Sequence, residues 1–240
     1  MLTEKIGPLR AHVTGGSDGN GAGDGATVVL LHGFGAPGTD LVGLAKNLRA
    51  PPHTRFVFPE APEVADVGMP PPYEGRAWWH IDMLNLQRAV LGQNWEALAA
   101  HVPEGLVEAR AKLDDFLNAL EVRLGVGDTP LVLGGFSQGA MLSTDVVLHS
   151  ERRFAGLLLF SGSLIARAEW LTQIERRPPV PVLQSHGRQD PVLPFRVAEQ
   201  LHKEFTAHGW PANWVPFDGG HGIGMEGLTA ANDFLAQVLT

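Results

Sequence analysis

Six short apolar runs, most of them separated by helical patterns, limit most strongly what this 240-residue chain can fold into. They span residues 27–32, 54–59, 131–136, 154–161, 181–186 and 213–217. In runs such as Val28 to Leu31 every residue is apolar, which is expected of parallel strands that helices cover on both faces. We therefore predict an α/β fold in which a mostly parallel central sheet forms the middle layer of a three-layer sandwich.

Five helices are predicted between and after these strands. The clearest, at 104–124, places apolar residues such as Leu106, Leu113 and Leu120 on one stripe. The others are predicted at 39–49, 138–149, 195–208 and 225–238. Because no linker interrupts the alternation of strands and helices, we expect residues 1–240 to form a single domain.

Two stretches depart from this alternation of strands and helices. Residues 14–25 are half glycine and lead into a strand rather than out of one, so we predict a flexible turn between two strands and not a dinucleotide-binding loop. Residues 62–101 are rich in Pro and Trp and contain only short helices. We expect this segment to cover one end of the sheet, where it would overlie an active site.

Charge and composition exclude several classes of protein. There are 18 Lys and Arg against 26 Asp and Glu, and the net charge of −8 disfavours binding to nucleic acid or to an anionic membrane surface. The chain has no Cys, which excludes disulfides, thiolate metal sites and a Cys nucleophile. No apolar run approaches the ~18 residues of a membrane span, and the N-terminal residues lack the apolar stretch of a signal peptide. We expect a cytoplasmic protein, and the sequence leaves open whether the chain forms a homodimer.

The sequence Gly135-Phe136-Ser137-Gln138-Gly139 matches the pattern G-x-S-x-G, in which small flanking residues allow a sharp turn that exposes the serine. The run before it reads as a buried strand and the run after it as a helix, which is the context that this turn requires. We therefore predict that Ser137 is a nucleophile. The alternative is a structural Gly-rich turn.

A serine nucleophile needs a histidine base and a carboxylate that orients this base. Of the ten His, His221 is the best placed, because it lies in a Gly-rich loop between the last predicted strand and the last helix. Asp190 follows the strand at 181–186 and gives the chain order Ser, Asp, His. Asp218 is a rival acid, but its place before two glycines is better explained by turn formation.

Acyl transfer also needs hydrogen-bond donors for the oxyanion that develops on the carbonyl group. The loop His32-Gly33-Phe34-Gly35 follows the first of the six predicted strands. We predict that the backbone N–H groups of Phe34 and Gln138 are these donors. A structural turn is again the alternative for this loop.

These motifs, in this order, resemble those of the phospholipase/carboxylesterase family of small α/β-hydrolases, which includes acyl-protein thioesterases and broad-specificity carboxylesterases. The resemblance rests on LLHGFGAPGTDL, FPEAP, RAWW, LVLGGFSQGAML, LQSHGRQDPVLP and GGHGI, and it covers nearly the whole chain. It implies a single α/β-hydrolase domain. It also implies that Ser137, Asp190 and His221 form the catalytic triad and that Phe34 and Gln138 supply the oxyanion donors.

The resemblance extends to the substrate pocket. Trp78 and Val192 stand where the family lines its acyl pocket, and we expect Trp79 to complete this apolar wall. We therefore predict a serine hydrolase, without metal or cofactor, that cleaves small-molecule esters or thioesters of short to medium acyl length through an acyl-enzyme. One alternative is a lysophospholipase or acyl-protein thioesterase that uses the same site on longer chains. A second is a catalytically silent binding protein on the same fold.

Overall fold

The computed structural model describes residues 1–65, 68, 74–125 and 129–239. Within these residues the strands are β1 (Leu2–Ile6), β2 (Leu9–Gly15), β3 (Thr27–Leu31), β4 (Arg55–Pro59), β5 (Glu63–Ala65), β6 (Gly75–Ala77), β7 (Leu131–Phe136), β8 (Gly156–Phe160), β9 (Val182–Gly187) and β10 (Ala212–Phe217). The α-helices are α1 (Met83–Leu91), α2 (Trp95–Ala100), α3 (Leu106–Leu124), α4 (Gln138–His149), α5 (Arg167–Arg176), α6 (Phe195–Ala207) and α7 (Met225–Val238). A 3₁₀ helix spans Asp40–Lys46.

One sheet holds eight of these strands in the order β1-β2-β4-β3-β7-β8-β9-β10. From β4 to β10 all neighbouring strands in this order are parallel. At the other edge, β1 is antiparallel to β2 and β2 is antiparallel to β4. The strands β5 and β6 form a separate antiparallel pair. The predicted mostly parallel central sheet is confirmed.

Successive residues of the central strands face opposite layers of helices. In β3, Val29 and Leu31 belong to an apolar cluster with residues of α3, α4, α5 and α6. Val28 and Leu30 belong to a second cluster with residues of α7 and the 3₁₀ helix. Because both faces are buried, the strand is apolar at consecutive positions. The three-layer sandwich of the α/β-hydrolase fold, as predicted, is confirmed.

Some elements differ from the sequence-based prediction. The apolar pattern does not reveal β1 and β2, because β1 is an edge strand in which two of five residues are charged. It does not reveal α5 either, since this helix buries only Trp170 and Ile174. The helix predicted at 39–49 is a shorter 3₁₀ helix with Gly43 at its centre, a residue that disfavours a longer α-helix.

The Gly-rich segment 14–25 connects β2 to β3, two strands that are separated in the sheet by β4. It is therefore a crossover between non-adjacent strands and not a tight turn between neighbours. The buried guanidinium of Arg55, on β4, donates to the carbonyl oxygens of Gly23 and Gly25. These hydrogen bonds tie the end of the segment to the sheet, in place of the flexible turn that composition predicts.

The irregular segment 62–101 contains β5, β6, α1 and α2. Part of it, residues 66, 67 and 69–73, lies outside the described residues. The short helices expected in this segment are present as α1 and α2.

Candidate active site

Ser137 occupies a sharp turn between β7 and α4. Its backbone has φ 55° and ψ −117°, a conformation that residues other than glycine rarely adopt. The turn presses the start of α4 against the end of β3, where a Cβ atom on Gly139 would lie 2.1 Å from the carbonyl oxygen of Leu31. Only glycine permits this approach. The strand, turn and helix that the G-x-S-x-G motif requires are thus all present around Ser137.

Three polar side chains converge at the carboxyl ends of β7, β9 and β10. Ser137 follows β7, Asp190 follows β9, and His221 lies in the loop between β10 and α7. The Oγ atom of Ser137 lies 2.9 Å from Nε2 of His221, and Nδ1 of His221 lies 2.7 Å from Oδ2 of Asp190. Because parallel strands end at the same edge of the sheet, residues far apart in the chain meet here.

The two candidate acids have opposite environments. The carboxylate of Asp190 is fully buried and contacts His221. The side chain of Asp218 is 85% exposed, and its carboxylate pairs with Arg188 at 3.5 Å. The structure therefore brings Asp190 to His221 and leaves Asp218 at the surface.

The carboxylate of Asp190 accepts hydrogen bonds on both oxygens. The backbone N–H groups of Val192 and Leu193 donate to Oδ1 at 2.8 and 2.9 Å. Nε2 of His186 lies 3.2 Å from Oδ2, the oxygen that also contacts His221. Burial raises the pKa of Asp190, but the hydrogen bonds from His186 and His221 outweigh it and hold this pKa well below its usual range. The acid thus stays ionised although it is buried.

The loop that carries His221 is held from two sides. The hydroxyl of Ser161 donates to the carbonyl oxygen of Gly222 at 2.7 Å, and the ring of Phe136 packs against the imidazole of His221 with centroids 4.9 Å apart. Ser161 is buried and has φ 50°. Ser161 lies outside the quoted motifs, and His186 lies in LQSHGRQDPVLP without a role assigned from the sequence; the available signal for either role is the position at the carboxyl end of a strand.

The two segments that carry the predicted oxyanion donors lie next to Ser137. Gln138 begins α4, so its backbone N–H has no acceptor within the helix. The loop with Phe34 passes beside Ser137, since a Cβ atom on Gly33 would lie 3.3 Å from the Cβ atom of Ser137. The buried side chain of Gln138 accepts a hydrogen bond from the N–H of Trp78 at 2.9 Å and donates to the carbonyl oxygen of Trp79 at 2.8 Å. Gln138 therefore also fixes the backbone of the RAWW motif.

His32 stabilises the loop of Phe34 through two hydrogen bonds of its imidazole ring. The backbone N–H of Ala61 donates to Nε2 of His32 at 3.0 Å, so Nε2 is an acceptor and the proton is on Nδ1, which donates to the carbonyl oxygen of Gly33 at 2.8 Å. Burial lowers the pKa of His32 to about 4. His32 is thus an uncharged structural residue of this loop at neutral pH.

Comparison with known proteins agrees with this geometry. The sequence profile of the phospholipase/carboxylesterase family matches residues 21–239. The chain belongs to this family. It is 30% identical to acyl-protein thioesterase 1 of Kluyveromyces lactis over 224 residues, which cover 88% of this chain and 91% of that protein. It is 32% identical to acyl-protein thioesterase 1 of Eremothecium gossypii over 215 residues, or 86% of this chain and 85% of that protein.

Solved structures of esterases have the same fold as this phospholipase/carboxylesterase family member. Esterase PE8 superposes with a TM-score of 0.78 at 30% identity and covers both chains completely. The Bacillus cereus carboxylesterase, at 16% identity, shares the fold with a TM-score of 0.65 over 95% of this chain and 93% of its own. The chain is accordingly a hydrolase of the serine hydrolase class that acts on ester or thioester bonds, and the family predicted from its motifs is confirmed.

A cavity of about 550 Å³ in this family member is lined in part by residues that contact Asp190 and Ser137. Leu193, whose N–H binds Asp190, is part of its wall, as is Met141, whose N–H binds the carbonyl oxygen of Ser137. Apolar residues predominate in the lining, and α1 and α2 supply one side of it. The remaining wall includes Trp79, Leu164 and Ile165.

One of the three residues predicted to line an acyl pocket belongs to this wall. Trp79 contacts the cavity. Trp78 is buried in the core, and its Nε1 donates to the carbonyl oxygen of His32 at 2.9 Å. Val192 is not among the described lining residues and contacts Asp190 through its backbone, while the next residue, Leu193, takes the place in the wall.

The described residues of this family member contain no group of three or more His, Cys, Asp and Glu that could hold a metal ion. None of the helices formed by these residues has the length and apolar character needed to cross a membrane.

Proposed function

We propose that this chain hydrolyses carboxylic esters and thioesters through an acyl-enzyme formed on Ser137. The observation that carries the proposal is the hydrogen-bonded series from Ser137 Oγ through the imidazole of His221 to Asp190 Oδ2, with distances of 2.9 and 2.7 Å. A serine hydroxyl needs a base within hydrogen-bond reach, and the base needs a partner that fixes its tautomer. His221 and Asp190 meet these two requirements.

In the first half of the reaction, Oγ of Ser137 attacks the carbonyl carbon while Nε2 of His221 takes the hydroxyl proton. Asp190 accepts a hydrogen bond from Nδ1 and stabilises the imidazolium that forms. The N–H groups of Phe34 and Gln138 stabilise the negative charge on the carbonyl oxygen. His221 then returns the proton to the departing alcohol or thiol, and the acyl group stays on Ser137.

In the second half, water attacks the acyl-enzyme while His221 again acts as the base. The same two N–H groups stabilise the second tetrahedral intermediate. Collapse of this intermediate restores the Ser137 hydroxyl with the proton from His221 and releases the carboxylic acid.

The acyl chain occupies the cavity beside Met141 and Leu193 in this proposal. Its volume of about 550 Å³ falls within the roughly 300 to 1,000 Å³ of small-molecule sites, and its mainly apolar lining suits a hydrocarbon chain. The segment 62–101 covers the site through α1 and α2, which form one side of this cavity. Esters of short to medium acyl length are the main expectation.

Esters or thioesters with longer acyl chains are the second candidate substrates. The size of the cavity is the specific observation that supports them. The relatives from Kluyveromyces lactis and Eremothecium gossypii are named acyl-protein thioesterase 1, which agrees with a long acyl thioester. Matched series of acyl esters and acyl thioesters, from two to sixteen carbons, distinguish the two candidates by the chain length at which kcat/KM is greatest.

A fluorophosphonate probe tests the nucleophile. We expect stoichiometric labelling of the wild-type protein, with the adduct on Ser137 in peptide mass spectrometry, and no labelling of Ser137→Ala. Ser163→Ala is the matched control, because Ser163 lines the cavity but lies outside the triad. It should label at a rate close to that of the wild type. An adduct at any other residue would contradict the assignment of Ser137.

The cytoplasmic location and the homodimer stay predictions. Cell fractionation with an antibody to the native chain tests the first. Light scattering of the purified protein at several concentrations tests the second.

A further inference from the structure

Two imidazoles share one oxygen of Asp190. Nδ1 of His221 lies 2.7 Å from Oδ2, and Nε2 of His186 lies 3.2 Å from the same atom. His186 stands at the end of β9, and its side chain, like that of Asp190, is fully buried. The acid of the proposed triad therefore has a second histidine partner that contacts neither Ser137 nor the cavity.

The contacts of His186 define which ring nitrogen carries its proton. Nε2 lies 2.8 Å from the carbonyl oxygen of Leu193 in addition to its contact with Asp190. Both partners are acceptors, so Nε2 must be the donor. Nδ1 is buried and has no hydrogen-bond partner among the described residues. A hydrogen on Nε2 is thus donated to the carbonyl oxygen of Leu193, with Oδ2 of Asp190 at 3.2 Å from the same nitrogen, whereas one on Nδ1 would have no acceptor there.

Aromatic rings hold the imidazole of His186 in place. Trp214 stacks on it with centroids 6.5 Å apart and an interplanar angle of 22°, and Phe195 meets it edge-on at 6.2 Å. His202 stacks on the same indole at 5.5 Å and 16°. The contacts of Trp214 and Phe195 with the ring and the bond to Leu193 keep Nε2 directed at Asp190.

The carboxylate of Asp190 depends on N–H donors alone. Among the described residues, no Lys or Arg forms an ion pair with it, and its partners are two backbone N–H groups and two imidazoles. A buried carboxylate stays ionised only when hydrogen bonds or charges compensate for its lost hydration. The donor on His186 is therefore one of four groups on which the charge of Asp190 depends.

We propose that His186 is a positioning residue of the acyl-transfer site: its Nε2–H holds Oδ2 of Asp190 toward His221 and takes up part of the negative charge of the carboxylate. This inference rests on the function proposed above. Without this donor, more of the charge of Asp190 faces His221 and stabilises its imidazolium form. The acidic limb of the kcat/KM profile then moves to higher pH, and the loosened carboxylate lowers the plateau.

Among the described residues, two further charged or titratable groups contact the aromatic rings that surround His186. Arg188 stacks on Phe195 at 5.5 Å and pairs with the exposed Asp218. His202, on α6, lies against Trp214. Either group could alter a pH profile by its own titration or charge, so a control at His202 is needed.

The test compares His186→Leu, which removes the donor, with His186→Gln, whose side-chain amide can donate from the same position. For His186→Leu we expect the midpoint of the acidic limb to rise by about half a pH unit to one unit and the plateau of kcat/KM to fall about tenfold, the effect of one hydrogen bond to a charged group. His186→Gln should restore most of both values. His202→Leu, which removes a titratable ring but leaves Trp214, Phe195 and Leu193 in contact with His186, should match the wild type.

Nuclear magnetic resonance of ¹⁵N-histidine-labelled wild-type protein provides a test that needs no variant and so does not depend on whether a variant folds. We expect the neutral His186 ring to carry its proton on Nε2. A neutral ring with its proton on Nδ1, an unshifted acidic limb in folded His186→Leu, or no rescue by His186→Gln would each overturn the proposal. Failure of the proposed function would differ, since wild-type protein would then lack the fluorophosphonate adduct on Ser137.

Discussion

Gly187, at the end of β9, lies directly beneath Gly220 in the loop of His221: a Cβ atom on Gly187 would lie 2.2 Å from the carbonyl oxygen of Gly220. Two backbone segments can approach so closely only because the first has no side chain. The contact determines the height of the His221 loop above the sheet, and thus the distance from His221 to Ser137.

Gly187→Ala should therefore displace the His221 loop. We expect kcat/KM to fall about 10²-fold, the typical cost of an ångström-scale misplacement of a reacting group. Gly222→Ala is the matched control in the same loop, because a Cβ atom there meets nothing within 4 Å. It should stay within about twofold of the wild type. Equal losses in the two variants would contradict this role of Gly187, because the loss would then not depend on the contact between β9 and the loop.

Asp190→Asn should abolish most of the activity without unfolding the protein. The amide can donate to Nδ1 of His221 and so favours the wrong tautomer, for which serine protease triads give a loss of about 10⁴ in kcat. Asp218→Asn should have little effect, since Asp218 is exposed and Asn also suits a turn. Burst and steady-state kinetics, with circular dichroism as a check of folding, distinguish the two. A greater loss in Asp218→Asn would contradict the assignment of Asp190.

A tryptophan at position 86 should shorten the acyl chains that the site accepts. Leu86 lines the cavity from α1, whereas Leu84 of the same helix is 66% exposed and absent from the lining. Each further buried CH₂ contributes up to about 0.8 kcal/mol, or roughly fourfold in kcat/KM. Leu86→Trp should end this rise at a shorter ester while leaving acetate hydrolysis unchanged. Leu84→Trp should retain the wild-type profile, and an equal change in both variants would contradict the assignment of the cavity.

The protein should lose stability as the pH falls from about 6.5 toward 4. The pKa of His32 is about 4 in the folded protein and near 6.5 when unfolded, so the unfolded chain binds the proton more tightly. The contribution of His32 to stability is complete above pH 6.5 and falls by about 3 kcal/mol by pH 4. Urea unfolding at several pH values measures this loss.

His32→Gln should flatten that pH dependence, because glutamine does not titrate. His53→Asn is the control, since His53 is exposed and has a positive φ that asparagine tolerates. Its pH dependence should follow that of the wild type. A slope in His32→Gln as steep as in the wild type would mean that other groups cause the acid instability.

The sequence was most informative where local rules coincide with the fold. Strands buried on both faces are apolar at nearly every position, so β3 and β8 could be predicted from their consecutive apolar residues. The turn at Ser137 needs glycine at Gly139, and this requirement appears in the motif itself. In the same way, the order of Ser137, Asp190 and His221 along the chain indicated which residues would meet.

The features that the sequence did not predict depend on tertiary packing, which no local sequence pattern indicates. Trp78 and Trp79 are adjacent tryptophans that are both buried in the same apolar cluster, yet of the two only Trp79 also lines the cavity. His186 lies in a strand like many buried residues, and its contact with Asp190 follows from how the loop folds back after β9. The edge strand β1 escapes prediction since its exposed face is polar.

The helix α1 forms one side of the cavity, and although all nine of its residues are described, none of them is buried. A helix without buried side chains gains little free energy from packing, and a helix of this length has little stability of its own. Its backbone amides should therefore exchange with deuterium through local opening, well before those of α4, where eleven of twelve residues are buried. Each opening exposes the cavity to solvent, which gives an acyl product a route out that needs no change in the sheet or in the triad.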